Sequence, residues 1–104
     1  MLMSFWVYLL RCADQSYYVG HTDELEERIA QHQQGEIEGY TTTRRPVQLM
    51  HAESFTTREA ALAAERQLKG WSWKKKEAWA RGDWAEVSQL SRRRTATRAP
   101  RQST

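Results

Sequence analysis

The apolar positions of the chain follow two periods. From Phe5 to Cys12 the residues are aromatic, β-branched and aliphatic, which is strand composition. Ala13–Asp14–Gln15–Ser16 is turn chemistry, and Tyr17 to Gly20 is a second β-rich run. Two such runs with a four-residue connection predict an antiparallel hairpin, closed by Gly20. The period then lengthens. Leu25, Arg28, Ile29 and His32 fall at i, i+3, i+4 and i+7, one face of a helix. Asp23, with Glu26 three residues on, reads as its N-cap and capping-box partner, and Gly35 as its C-cap after Gln34. A polar loop follows over 36–45, and Pro46 resets the chain before a third strand, Val47 to Phe55. Thr56 and Glu59 form a second capping-box pattern that opens a helix running to Lys69, before Gly70. Trp71 to Ala80 is a third, short helix with Ser72 as its cap, and 85–90 leave room for one more turn. From Ser91 apolar periodicity stops, so 91–104 are expected to be disordered. No internal repeat is present. The pattern predicts one α/β domain of the α+β type over residues 1–90. It has a small three-stranded antiparallel sheet flanked by helices, with a basic tail over 91–104.

Composition narrows this. A chain of 104 residues, part of it tail, buries only a modest core. There is no run of eighteen apolar residues, so no membrane span is expected. The apolar start, Met1 to Val7, lacks a basic n-region and reads as strand, not as a signal peptide. Cys12 is the only cysteine, which excludes an internal disulfide or a zinc site and fits a reducing cytoplasm. It is expected to be a small buried apolar residue. Charge is uneven. The tail holds five arginines and no acid, so with the whole chain at +3 the first ninety residues carry −2. A basic pI therefore does not argue for nucleic acid binding by the domain. Any such site there must be a local patch.

Two residues break the apolar stripes. Arg28 lies on the inward face of the first helix, where an arginine needs a partner or lines a cleft for an anion. The alternative is an arginine snorkelling to the surface. Glu65 shares a face with Ala61, Ala64 and Leu68. It is either functional or one half of a solvated helix pair with Lys69 at i+4. Tyr8 and Tyr18, on the two hairpin strands, are active groups or a cross-strand packing pair.

Together these residues carry a resemblance. Trp6–Val7–Tyr8 and Tyr18–Val19–Gly20 stand on the two hairpin strands, followed by His21, the Leu25-x-x-Arg28 helix and Glu65 on the second helix. Arg44–Arg45–Pro46 precedes the third strand, and Lys69–Gly70–Trp71–Ser72 follows the second helix. In this order and spacing, residues 5–84 resemble the GIY-YIG nuclease family, in particular its small stand-alone single-domain members. Trp6–Val7 departs from the Gly-Ile of the family name. The resemblance implies a divalent-metal-dependent endonuclease acting on DNA, with branched or damaged structures as candidate substrates and DNA repair as a setting. It implies Tyr8, Tyr18, His21, Arg28 and Glu65 as catalytic residues on one concave surface, with Glu65 holding Mg²⁺ or Mn²⁺. His32 matches a histidine often seen in the family and reads as a support for Arg28 or the helix end.

Elementary chemistry agrees. Phosphodiester cleavage needs an activated water, charge stabilisation at the phosphate and help for the leaving oxygen. A carboxylate is a hard ligand for one Mg²⁺, and a guanidinium fork suits a phosphate. A free tyrosine titrates near ~10 and is a poor base at neutral pH unless a cation lies beside it; of the two, Tyr8 is the favoured base. His21 is placed to serve as a hydrogen-bond partner or proton relay. Arg44, Arg45, Lys74, Lys75 and Lys76 are candidate phosphate contacts. Trp71, Trp73, Trp79 and Trp84 either stack bases or fill a small core. The competing function is a non-catalytic nucleic-acid-binding module of the same fold, with a protein-interaction domain third. A binding module has no use for a carboxylate beside a phosphate site. So small a domain has little surface for recognition, which leaves room for a homodimer or a recruiting partner protein.

Overall fold

The computed structural model describes residues 4–90. The described chain divides into two compact units, one ending at Trp71 and the other beginning at Ser72. The expected basic tail lies outside the described residues.

The first unit is an antiparallel sheet with helices. Strand β1 is Phe5–Arg11, β2 is Tyr17–Thr22, helix α1 is Leu25–Gln34, β3 is Gln48–Phe55 and helix α2 is Arg58–Lys69. The strand order is β2-β1-β3, so the first strand is central and β2 is an edge. That order suits the composition: Val7, Tyr8, Leu9 and Leu10 are all buried, as a strand covered on both faces requires. Burying such side chains contributes about 1.5–3 kcal/mol each.

The pleat assigns the faces. Tyr8 pairs with Gly20 and Leu10 with Tyr18, so these four share one face. With Cys12, Ile29 and Val47, Tyr8 and Leu10 form a core cluster against which Tyr18 and Leu25 pack, so α1 covers this side. Cys12 is buried as a small apolar residue. Val7 pairs with His21 and Leu9 with Val19 on the other face. Helix α2 lies there, since its Glu65 bonds to His21.

Local signals held with small shifts. Gly35 adopts φ 76°, a left-handed C-cap whose N–H meets the His32 carbonyl. The capping box expected at Asp23 and Glu26 does not form. The N-cap is Glu24, without a side-chain cap, and Thr22 Oγ1 instead accepts the Glu24 N–H at 3.0 Å. In α2 the cap is Thr57, one residue later than expected, accepting from the Ala60 N–H at 3.1 Å. Gly20 does not close the hairpin. It sits inside β2, which continues to Thr22.

The second unit holds helix α3, Trp73–Ala80, capped by Ser72 Oγ accepting the Lys75 N–H at 3.2 Å. Residues 84–90 are also helical, more than the single turn expected. Among the described residues no helix is long and apolar enough to cross a membrane.

Candidate active site

Tyr8 is 2 % exposed, and its ring reaches over Gly20. Its Oη lies 2.8 Å from His32 Nε2. On the other side of that imidazole, Nδ1 lies 2.9 Å from Thr41 Oγ1. His32 is 1 % exposed, and among the described residues no buried side-chain nitrogen or oxygen lacks a partner. Burial first, then the positive charge of Arg28, pushes the His32 pKa down, so the imidazole is neutral. A neutral imidazole donates at one nitrogen and accepts at the other, which makes Tyr8–His32–Thr41 a continuous proton-carrying chain.

Tyr18, half-buried, is the diagonal neighbour of Tyr8, with ring centroids 6.4 Å apart. Its ring also lies against His32 at 5.2 Å and stacks on Tyr40 at 6.1 Å. The Tyr8 hydroxyl is pushed well above the ordinary phenol range. Burial is the largest cause, followed by the neighbouring Tyr18, while Arg28 pulls down and Glu65 pushes up. Tyr8 at rest is therefore a phenol, not a phenolate.

Arg28, half-buried on α1, acts on both Tyr8 and His32 through its charge. It has no hydrogen-bond or ion-pair partner among the described residues. Its side chain lines a cleft of about 120 Å³ together with Thr22, Asp23, Glu24, Glu27 and Gln31.

Glu65 belongs to a second cluster. Its Oε1 lies 2.6 Å from His21 Nδ1 and its Oε2 2.9 Å from Lys69 Nζ. The Glu65 side chain is 12 % exposed, and that of Lys69 is 56 % exposed. His21 therefore serves Glu65, and it is His32 that serves the tyrosines. The five expected residues do not form one contact network: Tyr8 and Tyr18 pack with His32 on one face of β2, His21 bonds to Glu65 on the other, and Arg28 bonds to neither pair. Of the four influences on the Tyr8 hydroxyl, burial, Tyr18, Arg28 and Glu65, the charge of Glu65 is the weakest.

The chemistry of Glu65 allows a divalent cation. No three His, Cys, Asp or Glu side chains form a ready cage among the described residues. Mg²⁺ does not need one, because it keeps several waters and uses one or two carboxylates plus substrate phosphate. Each Glu65 oxygen has a second lone pair, and Lys69 has solvent to turn into. The donor set fits one ion held by Glu65.

Arg44 and Arg45 are tied into the fold. Arg44 Nε donates to Asp14 Oδ2 at 3.0 Å and Nη1 to the Tyr40 carbonyl at 2.7 Å. Arg45 Nε donates to the Thr42 carbonyl at 3.2 Å, and its guanidinium lies against Gly35 at the end of α1. Lys74, Lys75 and Lys76 stand on α3 in the second unit. The residues that the sequence left outside the site are His32, Thr41, Gly20 and Tyr40. Of these, His32 had a signal: it lies four residues after Arg28 on the same helix face. Thr41 and Tyr40 sit in a loop whose path no periodicity reveals.

Known proteins are similar to this chain. A UPF0213 protein of the archaeon Haloquadratum walsbyi is 44 % identical over 72 residues, covering 69 % of this chain and 81 % of its own length. The UPF0213 protein YazA of Bacillus subtilis is 43 % identical over 72 residues, covering 69 % of this chain and 73 % of its own. The solution NMR structure of an E. faecalis protein matches with TM-score 0.54 and 37 % identity, over 76 % of this chain and 84 % of that one. The family model described as the GIY-YIG catalytic domain matches residues 4–78, the stretch that holds both tyrosines, Arg28, His32 and Glu65. With that match over most of its length, the chain belongs to the GIY-YIG nuclease family, whose members generally use divalent metals.

Proposed function

We propose that this protein is a divalent-metal-dependent endonuclease that hydrolyses phosphodiester bonds in DNA, with Tyr8, Tyr18, His21, Arg28 and Glu65 as its catalytic set and His32 added to it. The observation that carries this is the 2.8 Å bond from the buried Tyr8 hydroxyl to Nε2 of the buried His32.

The residues divide the work. Arg28, a half-buried cation without a hydrogen-bond or ion-pair partner among the described residues, holds the scissile phosphate by its planar fork. Water attacks phosphorus as the P–O bond to the leaving sugar oxygen breaks; the water gives its proton to Tyr8 Oη while the phenolic proton passes to His32 Nε2, and the leaving oxygen takes a proton from solvent. Thr41 holds His32 in the tautomer that leaves Nε2 free to accept. This relay spares Tyr8 from becoming a free phenolate, which its burial opposes. Tyr18 orients the water or a phosphate oxygen. Glu65 is the ligand for Mg²⁺ or Mn²⁺, and when bound the ion supplies Lewis-acid stabilisation of charge on the phosphate oxygens. His21 orients the Glu65 carboxylate.

Lys74, Lys75, Lys76 and the arginines of 91–104 are the basic groups proposed to follow the DNA backbone, with 1–90 as the catalytic domain. Arg44 and Arg45 contact phosphate only by giving up bonds within the fold. Branched or damaged DNA is the proposed substrate class, in the cytoplasm, with a homodimer or a recruiting protein supplying further recognition. The test is a cleavage panel of single-stranded, duplex, nicked, flapped and four-way-junction DNA, and of RNA. It is run with Mg²⁺, Mn²⁺ or chelator, on wild type and Glu65→Gln. Metal-dependent DNA cleavage lost in Glu65→Gln is expected. Binding without cleavage on every substrate would leave the binding-module reading instead.

A further inference from the structure

Arg44 is built unlike a free phosphate contact. It sits at the end of the loop between α1 and β3, and three of its groups are engaged at once. Nε donates to Asp14 Oδ2 in the β1–β2 turn at 3.0 Å, and Nη1 donates to the Tyr40 carbonyl at 2.7 Å. The guanidinium carbon lies 3.9 Å from the centroid of the Tyr40 ring, a cation–π contact. The backbone repeats the tie, since the Ala13 N–H donates to the Arg44 carbonyl at 2.9 Å. Asp14 is held in turn by Ser16, whose hydroxyl and backbone N–H both donate to Oδ1.

The other end of this chain of contacts is in the candidate site. The Tyr40 ring, 41 % exposed, stacks on Tyr18 with centroids 6.1 Å apart and planes 24° from parallel. His32 is also against Tyr18, at 5.2 Å. The turn that carries Tyr40 also carries Thr41, which orients His32, and is closed by the Arg44 N–H donating to the Thr41 carbonyl at 3.1 Å.

We propose that Arg44 and Tyr40 form a clamp, anchored on Asp14, that fixes the Tyr18 ring in the active site. They are positioning residues, acting through Tyr18 and not on the substrate. This rests on the reading of Tyr18 as a member of the catalytic set. A tyrosine ring on an edge strand is free to turn about its side-chain torsions unless something rigid lies against it. Buried His32 is one such surface; Tyr40, stacked on the ring, is the other, and Arg44 keeps Tyr40 from swinging out. Displacing a catalytic group by about 1 Å costs on the order of a hundredfold in rate, so the clamp is felt in the chemical step and not in affinity.

The test compares Arg44→Met, Tyr40→Leu and Asp14→Asn with wild type and Tyr18→Phe. Three quantities are read: single-turnover cleavage at saturating enzyme, DNA affinity across a salt series, and the Tyr18 Cζ resonance in protein carrying ¹³C-labelled tyrosine. The clamp predicts a roughly tenfold to hundredfold slower cleavage step in Arg44→Met and Tyr40→Leu. It also predicts a smaller loss in Asp14→Asn, a shifted or broadened Tyr18 resonance in all three, and unchanged affinity. A phosphate contact at Arg44 predicts the opposite pattern. Affinity then falls with a salt slope lower by about one, the cleavage step at saturation is unchanged, and Asp14→Asn binds DNA more tightly because a repelling charge is gone. That pattern, or an unmoved Tyr18 resonance in Arg44→Met, overturns the clamp. If Tyr18→Phe cleaves like wild type, Tyr18 is not catalytic and the reading beneath the proposal fails. The resonance then still decides whether the clamp exists.

Discussion

The space above Gly20 is filled by the Tyr8 phenol. A Cβ at Gly20 would lie 2.5 Å from Tyr8 Oη and 2.6 Å from its Cζ. The two residues are cross-strand partners, so the ring of one lies where the side chain of the other would begin. This glycine is required for close approach. The same Cβ would lie 3.1 Å from Tyr18 Cε2, so both tyrosines depend on this glycine.

Gly20→Ala should therefore lose activity far beyond its effect on stability. The added methyl must displace the Tyr8 hydroxyl that bonds to His32. Overpacking of this kind costs about 1–3 kcal/mol, whereas breaking a proton relay costs on the order of 10²–10⁴ in rate. Thermal melts and single-turnover cleavage on one preparation check both. A fully active Gly20→Ala would mean that the Tyr8–His32 bond is not needed.

Tyr8→Phe keeps the ring and removes the hydroxyl. His32 Nε2 is then left buried without its partner, at a cost of about 1–3 kcal/mol. Cleavage should fall by on the order of a hundredfold or more. Urea denaturation gives the first quantity, and single-turnover assays the second.

Much of this site was legible in the sequence, for identifiable reasons. β1 and the first half of β2 are β-rich runs around a polar turn, and α1 carries an i, i+3, i+4, i+7 face, so Tyr8, Tyr18 and Arg28 fell onto the right elements. The division of the two histidines was not legible. His21 is three residues from Tyr18, but the pleat sends its side chain to the other face, where it meets Glu65. His32 lies 24 residues from Tyr8 and reaches it only because α1 covers that side of the sheet. Arg44 and Arg45 looked like phosphate contacts because paired arginines in a polar loop usually face solvent. Asp14, which holds Arg44, is 30 residues earlier and no spacing links them.

Lys69 occupies one Glu65 oxygen at 2.9 Å, where it would compete with the cation proposed for that carboxylate. Lys69→Met should raise Mn²⁺ affinity. The pair is partly exposed, and such pairs contribute about 0.2–1 kcal/mol, so the gain should be at most roughly fivefold. Mn²⁺ binding followed by electron paramagnetic resonance reads it, with Arg66→Met, one exposed cation removed from the same helix, as the control for charge alone. Equal gains in both variants would remove any specific role for the Lys69–Glu65 pair.

The pH dependence of stability should carry a His32 signature. The fold holds this imidazole neutral and its pKa below the ordinary value. As pH falls below about 6.5, the unfolded chain takes up the proton first. Stability from this source is therefore complete at neutral pH, declines through the mildly acidic range, and levels off once pH is below the folded value. Urea midpoints across that range should show a shallower decline in His32→Gln than in wild type. A decline of the same steepness in both would place the titration on another group.

The most direct test of the relay is the pH profile of single-turnover cleavage in wild type and His32→Gln, at saturating enzyme and metal. Wild type should lose activity on the acid side as His32 takes a proton and can no longer accept one from Tyr8, with the limb below the ordinary histidine value of ~6.5. His32→Gln should be slower by on the order of a hundredfold and lack that limb. A His32→Gln protein with the wild-type rate and an unchanged acid limb would contradict the Tyr8–His32 relay.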